Sequence, residues 1–332
     1  MTIRPLLRAT VIALCAALAS ANSFAQEKRA LAPGYPSKPI RVMVTVTAGG
    51  GLDFITRAVS AKVSERLLFP LIVDNVSGAN GAIAVNTTIA SAPDGHTLLS
   101  TGGSTAINAV FNKFDRDIRR ALAPVAQMST QPYVLYVSAA SPLNSMQELI
   151  ALAKRNPGKL NYGSTGVASV IHLGTELIEF AAGVDMVHVP YKGSAAALVD
   201  LTSGRLDFLV NSVVPGAQMV RAGKLKALAV TSLQRMPEFP GTPTLAESAL
   251  PGYELTNTYT LYANGATPAA ILNALNREVA QALTDPELRK KMAADASIPA
   301  EPHTPDELRK ILIAEIERWE SVVKKANIKL EE

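Results

Sequence analysis

The chain has 332 residues, of which 48% are hydrophobic, 18% charged and 5% aromatic, and its formal net charge is +4. This length suffices for two α/β domains of ordinary size, and the composition is that of a globular protein with a large core. The small charge, without a long basic run, argues against nucleic-acid binding, because tracking phosphates requires clustered lysines and arginines.

The first 25 residues have the organisation of a cleavable signal peptide. Arg4 and Arg8 precede a short apolar run at 9–18, and the tripeptide at 23–25 has small residues where a signal peptidase reads them. The apolar run is too short to span a bilayer. We therefore expect export to the periplasm and cleavage after residue 25. Losing the two arginines would lower the charge from +4 to +2, and losing Cys15 would remove the only cysteine.

Residues 40–66 predict a strand, a glycine turn and a helix. The β-branched run Ile40–Val46 is typical of a buried strand, and apolar residues recur at helical spacing from Ile55 onward. Between them, Ala48–Gly51 removes side chains where the backbone turns. The unpaired amides at the start of such a helix, with its dipole, form a site for an anion. A glycine-rich connector without a ligand is the alternative, and the turn matches neither common nucleotide-binding pattern.

Two further predicted strands end in similar turns. Leu71–Asp74 is followed by Gly78–Gly81 and a helix near 83–90, and Thr97–Ser100 is followed by Gly102–Thr105. In open α/β sheets, ligands bind outside the carboxyl ends of the strands. Three such turns in succession therefore favour a binding site over a plain connector.

A second β-α series begins after residues 123–127 and predicts a second, mostly parallel sheet. The loop Gly163–Ser169 opens a helix near 170–180, and residues 258–262 are expected to cross back to the first domain. The predicted strands of this series are Tyr133–Val137, Leu160–Tyr162, Val187–Val189, Leu206–Val210 and Lys226–Val230.

Helix starts are marked by capping patterns. Ser145 and Glu148 predict a capping box, and Thr267, Asp285 and Thr304 each precede a proline suited to the first helical position. The last helix carries apolar residues that most simply form a packing face, with the tryptophan in the core rather than as a ligand platform: Ile311, Ile316, Trp319 and Val323.

Two function classes follow from these patterns, an exported serine hydrolase and a binding protein. Gly102–Ala106 is one residue short of the GxSxG motif that would make Ser104 a nucleophile. An enzyme concentrates a nucleophile and a base at one point, whereas this chain spreads neutral donors over both domains, which favours a binding protein. The histidines lack metal-ligand spacing, so no metal site is expected.

Two charged or titratable residues have two interpretations each. Asp53 either compensates the helix dipole and pairs with Arg57, or orders the glycine loop around a ligand. His172, near the start of the helix after Ser169, either donates to an anion or fills a gap between helix and sheet.

Seven motifs occur in a characteristic order: Tyr35–Ile40, Gly49-Gly50 with Asp53, Val73–Asn75, Ala92–Gly95, Asn156–Tyr162, Val189–Gly193 and Arg221–Lys224. Through them, almost the whole mature chain resembles the Bug-type extracytoplasmic solute-binding receptors of tripartite tricarboxylate transporters. The resemblance implies a two-lobed α/β flytrap (type II-like periplasmic-binding-protein) fold, no catalysis and no cofactor. We place one lobe at 26–126 plus 251–332 and the other at 127–250, in a monomer.

The resemblance also implies that a small carboxylate is held in the cleft between the lobes, and that membrane subunits of a transporter are the partner. Carried over to this chain, the ligand contacts are Thr47, Ala48, Gly49, Gly50, Leu52, Asp53, Gly78, Asn80, Ser104, Thr105, Ser164, Thr165, Ala168, Ser169, His172 and Asn211.

The chain departs from the family pattern in the first loop and at two single positions. Thr47 and Ala48 replace prolines, Leu52 replaces a small polar residue, Thr105 replaces a frequent histidine, and Asn211 stands where aspartate is common. A bulky apolar Leu52 favours an aromatic or long aliphatic carboxylate.

Overall fold

The computed structural model describes residues 31–111, 114–325 and 327–328, so the predicted signal peptide lies outside the described residues. The strands are β1 Ile40–Val44, β2 Leu71–Asn75, β3 Thr97–Thr101, β4 Leu122–Ser138, β5 Asn161–Ser164, β6 Val187–Pro190, β7 Phe208–Ser212, β8 Leu225–Val230, β9 Thr256–Asn264 and β10 Ile298–Pro299.

The α-helices alternate with these strands in the first two thirds of the chain and dominate the last. They are α1 Gly51–Leu67, α2 Ala82–Ala90, α3 Ser104–Val110, α4 Ile118–Ala121, α5 Met146–Arg155, α6 Val170–Ala182, α7 Ser194–Thr202, α8 Val213–Arg221, α9 Leu245–Ser248, α10 Ala269–Ala282, α11 Pro286–Ala294 and α12 Pro305–Lys325, with a 3₁₀ turn at Ala79–Gly81.

The strands form two sheets, and each sheet with its helices makes one lobe. The first sheet has the order β2-β1-β3-β9-β4, with β10 on the far side of β4. In the second, β4 pairs with both β7 and β8, and β5 pairs with β6 and β7. The prediction of a mostly parallel second sheet is wrong: β5 pairs in parallel, but the long β4 enters antiparallel to both of its neighbours.

Strand β4 belongs to both sheets. Residues 122–132 pair with β9 in the first sheet, and residues 133–138 pair with β7 and β8 in the second. The strand predicted at Tyr133–Val137 thus begins eleven residues earlier than expected, at Leu122. The segment 123–127, interpreted from the sequence as a boundary, is continuous β-structure.

A buried threonine ties the two chain crossings together where β4 changes partners. Thr231 has no exposed surface; its hydroxyl accepts the amide of Tyr133 at 2.8 Å and donates to the carbonyl of Leu255 at 2.6 Å. Tyr133 follows the last β4 residue paired with β9, Pro132, and Leu255 directly precedes β9. One side chain therefore fixes both connections between the lobes.

Three apolar clusters hold the lobes. One packs α1, α10 and α11 on the first sheet, and another packs α7 and α8 on the second. The third is common to both sheets, because it contains Met43 and Leu99 from the first, Tyr162 and Phe208 from the second, and Trp319 from α12. The predicted core position of Trp319 is confirmed. In the part of the chain that is described, no helix is both long enough and apolar enough to cross a bilayer.

The predicted helix starts are confirmed at Asp285 and Thr304, whose side chains accept amides in the first turn. At the third site the prediction is wrong: α10 begins after Pro268, and among the described residues the Thr267 hydroxyl has no partner. At α5, Ser145 accepts the amide of Glu148 as expected, but the Glu148 carboxylate accepts from Asn144 rather than closing the box.

The packing face of α12 contains Ile316 and Trp319 of the four predicted residues. The buried residues of this helix are Pro305, Leu308, Leu312, Ile316, Trp319 and Val322. Ile311 is 41% exposed, because the helical repeat turns it away from this stripe. Val323 is partly buried against the shared cluster.

Ile316 and Ile311 form a matched pair for testing this face. Ile316→Ala should lower the free energy of unfolding by about 2–5 kcal/mol, because the side chain is fully buried in the shared cluster. Ile311→Ala should cost less than about 0.5 kcal/mol beyond any change in helix propensity. Urea denaturation of both variants is the measurement, and equal losses would contradict this packing.

Candidate ligand-binding cleft

A cavity of about 220 Å³ lies where the loops after β1 and β3 of the first lobe face Val170, the first residue of α6 in the second lobe. Its lining residues are all uncharged: Thr45, Val46, Thr47, Gly50, Gly51, Leu52, Gly102, Ser104, Val170, Asn257 and Tyr259. The cavity therefore lies at the carboxyl ends of two strands, as three polar turns in succession predict.

Asp53 holds the glycine loop in place. It is 4% exposed; one carboxylate oxygen accepts the amide of Gly49 at 3.0 Å, and the other accepts Arg57 Nε at 3.0 Å and Asn75 Nδ2 at 2.9 Å. Burial alone would raise the pKa of Asp53, but these donors outweigh it and hold the pKa below its usual value. The pair with Arg57 and the ordering of the loop, predicted as alternatives, coexist.

The amino terminus of α1 opens at this loop. The first intrahelical bond joins the amide of Phe54 to the carbonyl of Gly50 at 2.9 Å, so the preceding amides lie outside the helical ladder. A Cβ on Gly51 would lie 3.0 Å from the Tyr259 hydroxyl and 3.1 Å from an Asp295 oxygen. A Cβ on Gly50 would meet no described atom within 4 Å. Gly51 is thus fixed by packing, whereas Gly50 faces open space.

The other first-lobe turns are tied to the protein itself. Ser104 lines the cavity, but Thr105 is buried with its hydroxyl bonded to that of Thr101. Asn80 exchanges hydrogen bonds with Asn108 of α3, at 3.0 and 2.7 Å. Residues 78–81 do not belong to the lining of this cavity, although the sequence groups them with the glycine loop.

The predicted second-lobe residues do not line the cavity: Ser169 and His172 lie at the start of α6, and Asn211 lies in β7. Ser169 caps α6, since its hydroxyl accepts the amide of His172 at 3.2 Å, and Thr165 is half-buried. Asn211, fully buried inside β7, accepts the Ser194 hydroxyl at 2.9 Å. Its Nδ2 group has no partner among the described residues. A buried amide donor of this kind calls for an acceptor that the described chain does not supply.

A buried polar cluster lies beneath the second-lobe loop. Ser164 is 2.6 Å from His188 Nε2, and the His188 ring stacks on that of His172 with centroids 3.7 Å apart. His172 Nδ1 accepts the amide of Ala168 at 3.0 Å, and its Nε2 lies 3.4 Å from a Glu176 oxygen. Both ring nitrogens of His172 are therefore engaged within the lobe, which leaves none free for a ligand.

Burial perturbs one acid and one base in this cluster. It raises the pKa of Glu179 to about 8, with help from the neighbouring charge of Glu176. It lowers the pKa of His188 to about 4, with a contribution from His172. The Glu179 carboxyl also accepts the amide of Met186 at 2.6 Å. Within the described ranges, no group of three or more metal-ligating side chains is assembled.

Sequence reasoning missed Asn257 and Tyr259, which line the cavity from β9. Asn257 Oδ1 accepts the amide of Gly103 at 2.9 Å, and the Tyr259 hydroxyl donates to Gln131 at 2.9 Å. No local motif marks either residue. The only available signal was the expected return of residues 258–262 to the first domain.

Two lobes joined by crossing strands, with a cleft at the strand ends, are the architecture of a periplasmic solute-binding protein. A sequence model described as the tripartite tricarboxylate transporter family receptor matches residues 55–328. The chain belongs to this family.

Relatives and solved structures agree with this assignment. Protein BugT of Bordetella pertussis is 32% identical over 299 residues, which cover 89% of this chain and 91% of BugT. The structure of R. palustris Rpa4515 with adipate has a TM-score of 0.76 and 33% identity, covering 89% of this chain and 99% of that one. MatC from Rhodopseudomonas palustris with bound malate has a TM-score of 0.73 and 29% identity, covering 87% and 100%.

Family and fold are those of receptors without catalytic activity, so the prediction that the chain is not an enzyme is confirmed. The hydrolase alternative based on Ser104 is set aside on the same ground.

The raised pKa of Glu179 predicts that the stability of the fold depends on pH. The folded pKa of Glu179, about 8, exceeds the ordinary value of 4.5. The neutral acid therefore stabilises the fold fully below pH 4.5, and this contribution is lost as pH rises to 8, by at most about 1.4 kcal/mol per pH unit. Between about 4 and 6.5 the lowered pKa of His188 acts in the opposite sense, so pH 6.5–8 isolates Glu179.

Glu179→Gln should remove this loss, because the amide mimics the neutral acid and keeps a carbonyl for Met186. In urea denaturation, the stability gap between variant and parent should widen from pH 6.5 to pH 8. Glu317→Gln, at an exposed position of α12, is the control and should show no such trend. If the difference in stability between Glu179→Gln and the parent does not change with pH, the raised pKa of Glu179 is contradicted.

Proposed function

We propose that this receptor captures a small carboxylate in the cleft between its lobes, in the periplasm after removal of residues 1–25, and delivers it to the membrane subunits of a tripartite tricarboxylate transporter. The observation that carries the proposal is the uncharged lining of the cavity at the amino terminus of α1. Helix dipole and unpaired amides there favour an anion over a neutral solute.

Uncharged donors supply the binding energy in this proposal. Arg57, the cation next to the glycine loop, is engaged by Asp53 and Asn75 rather than directed at the cavity. Hydrogen bonds from neutral donors to a carboxylate are charge-assisted and stronger than those between neutral groups. They also avoid the desolvation cost of burying a second charge when the lobes close.

The body of the ligand is apolar in part. Val46, Leu52 and Val170 contribute aliphatic surface to the cavity. The related structures with adipate and malate contain aliphatic dicarboxylates. We infer a mono- or dicarboxylate with an aliphatic or aromatic body, for which Leu52 supplies the apolar contact.

Closure of the lobes completes the site. In this proposal the second lobe, which begins where β4 changes partners after Pro132, brings Ser169 and Asn211 toward a ligand held by the first. The unpartnered Nδ2 of Asn211 supports this role, because a ligand oxygen would satisfy it. Contacts from both lobes stabilise the closed state more than the open one.

Gly50→Val tests the anchor in the first lobe. Its backbone torsions, φ −84° and ψ 168°, suit valine, and a Cβ there has open space, so the fold should persist. The side chain would cover the loop amides and weaken binding by about 100-fold, the equivalent of one or two charge-assisted bonds.

Calorimetry with adipate, malate and benzoate measures this effect. Gly241→Val is the matched control: its Cβ would also meet no described atom within 4 Å, at a position outside the cavity lining, and binding should not change. If the Gly50 variant binds with the affinity of the parent, the anion does not bind at the glycine loop. A parent that binds none of the three acids would refute the proposed ligand class.

Ser169→Ala tests the second lobe against a matched cap. Ser169 and Ser145 each accept one first-turn amide at 3.2 Å, so both alanine variants should lose about 0.5–2 kcal/mol of stability. Only the Ser169 variant should also bind the carboxylate more weakly, by about 1–3 kcal/mol. Calorimetry on both variants separates the loss of stability from the loss of affinity. If Ser169→Ala and Ser145→Ala bind the carboxylate equally well, Ser169 is not part of the site.

A further inference from the structure

We propose that His172 is a positioning residue of the second-lobe loop: its ring accepts the backbone amide of Ala168 and so holds residues 164–169 in their binding conformation. This inference rests on the proposed function. It replaces the expectation that His172 contacts the ligand directly.

The geometry fixes the role of each ring nitrogen. His172 Nδ1 lies 3.0 Å from the backbone nitrogen of Ala168, and a backbone amide can only donate. Nδ1 must therefore carry a lone pair, which places the proton of the neutral ring on Nε2. Protonation of Nδ1 would set one donor against another.

The amide that His172 accepts belongs to an unusual residue. Ala168 is buried and has a φ of +58°, a left-handed backbone conformation that residues other than glycine rarely adopt. Such a conformation persists only where surrounding contacts impose it. The bond to His172 is one such contact, so its loss lets the turn relax.

The stacked partner holds the other end of the same loop. Ser164, where the loop begins, is 2.6 Å from His188 Nε2. The His188 and His172 rings lie 13° from parallel at 3.7 Å, so a movement of one ring disturbs the other. The histidine pair thus clamps the loop at its first residue and near its last.

Acidic and aromatic groups surround the pair. On α6 itself, Glu176 lies 3.4 Å from His172 Nε2, and Glu179 follows one turn later, near Asp185. From β5, Tyr162 donates to Glu176 at 2.6 Å and stacks on both rings.

A groove between α6 and α12 is lined by Glu176 together with Arg318 and Lys325 of α12. The Glu176 carboxylate lies beside His172 Nε2. An acceptor on that side of the ring favours the tautomer with its proton on Nε2, which leaves Nδ1 free to accept the amide of Ala168.

Three variants of the full chain test the role by calorimetry with adipate at pH 7.5. In His172→Asn, the side-chain oxygen can still accept from Ala168. In His172→Leu, the acceptor is lost. His303→Asn, on the connector before α12, is the control.

The parent, His303→Asn and His172→Asn should bind adipate with similar affinity. His172→Leu should bind about tenfold more weakly, the equivalent of one hydrogen bond. Parent-like affinity of His172→Leu would overturn the proposal, as would a loss of affinity in His172→Asn as large as that in His172→Leu.

A measurement on the unmodified protein keeps the test independent of variant folding and of the ligand. Histidine ¹⁵N NMR at pH 7.5 should show the Nε2–H tautomer of His172 with a bare Nδ1. An Nδ1–H tautomer would refute the positioning role even if adipate binds. A parent that fails to bind adipate but shows the expected tautomer would refute the proposed ligand while supporting the loop anchor.

Discussion

The sharing of β4 between two sheets is the constraint on which the rest of the structure depends. The strand exchanges β9 for β7 and β8 between Pro132 and Tyr133, and the buried hydroxyl of Thr231 joins that point to the returning chain at Leu255. Both connections are thereby held at one place. The carboxyl ends of β1 and β3 consequently face the amino terminus of α6, and a cavity forms between them.

Within that frame, the first-lobe loop is organised before any ligand arrives. Asp53 accepts the amide of Gly49 and is itself held by Arg57 and Asn75. The Asp295 carboxylate and the Tyr259 hydroxyl pack closely against Gly51. A loop ordered by its own contacts loses little conformational entropy on binding, which favours affinity without additional contacts.

The second lobe is organised by a different kind of interaction. Its loop is held by the stacked rings of His172 and His188, whereas the glycine loop of the first lobe is held by the carboxylate of Asp53. The ring of His172 offers the loop a single acceptor, while Asp53 accepts from three donors at once. The second-lobe loop therefore depends more on the placement of one side chain.

Local features of this chain were predictable from the sequence, and long-range neighbours were not. The Asp53–Arg57 pair and the Asp285 cap each follow from spacings of a few residues. Asn257 and Tyr259 reach the cleft only because β9 inserts beside β3, a pairing that no local pattern encodes.

The same limit applies to longer elements and to single atoms. The antiparallel entry of β4 into the second sheet was missed because continuous β-structure spans the expected boundary at 123–127. The acceptor role of His172 depends on the left-handed turn at Ala168, which exists only in the folded loop.

The order of strands in the first sheet has a consequence for how the chain folds. The second sheet is built from one continuous stretch, β4 to β8, so it can assemble as soon as that stretch is available. The first sheet cannot, because β9 fills the place between β3 and β4 and comes much later in the chain. Closing such a long loop is slow, and until then the facing edges of β3 and β4 lack their partner. The loop that ends β1 is thus among the last parts to gain its final support, and the chain has no complete cleft until β9 is in place.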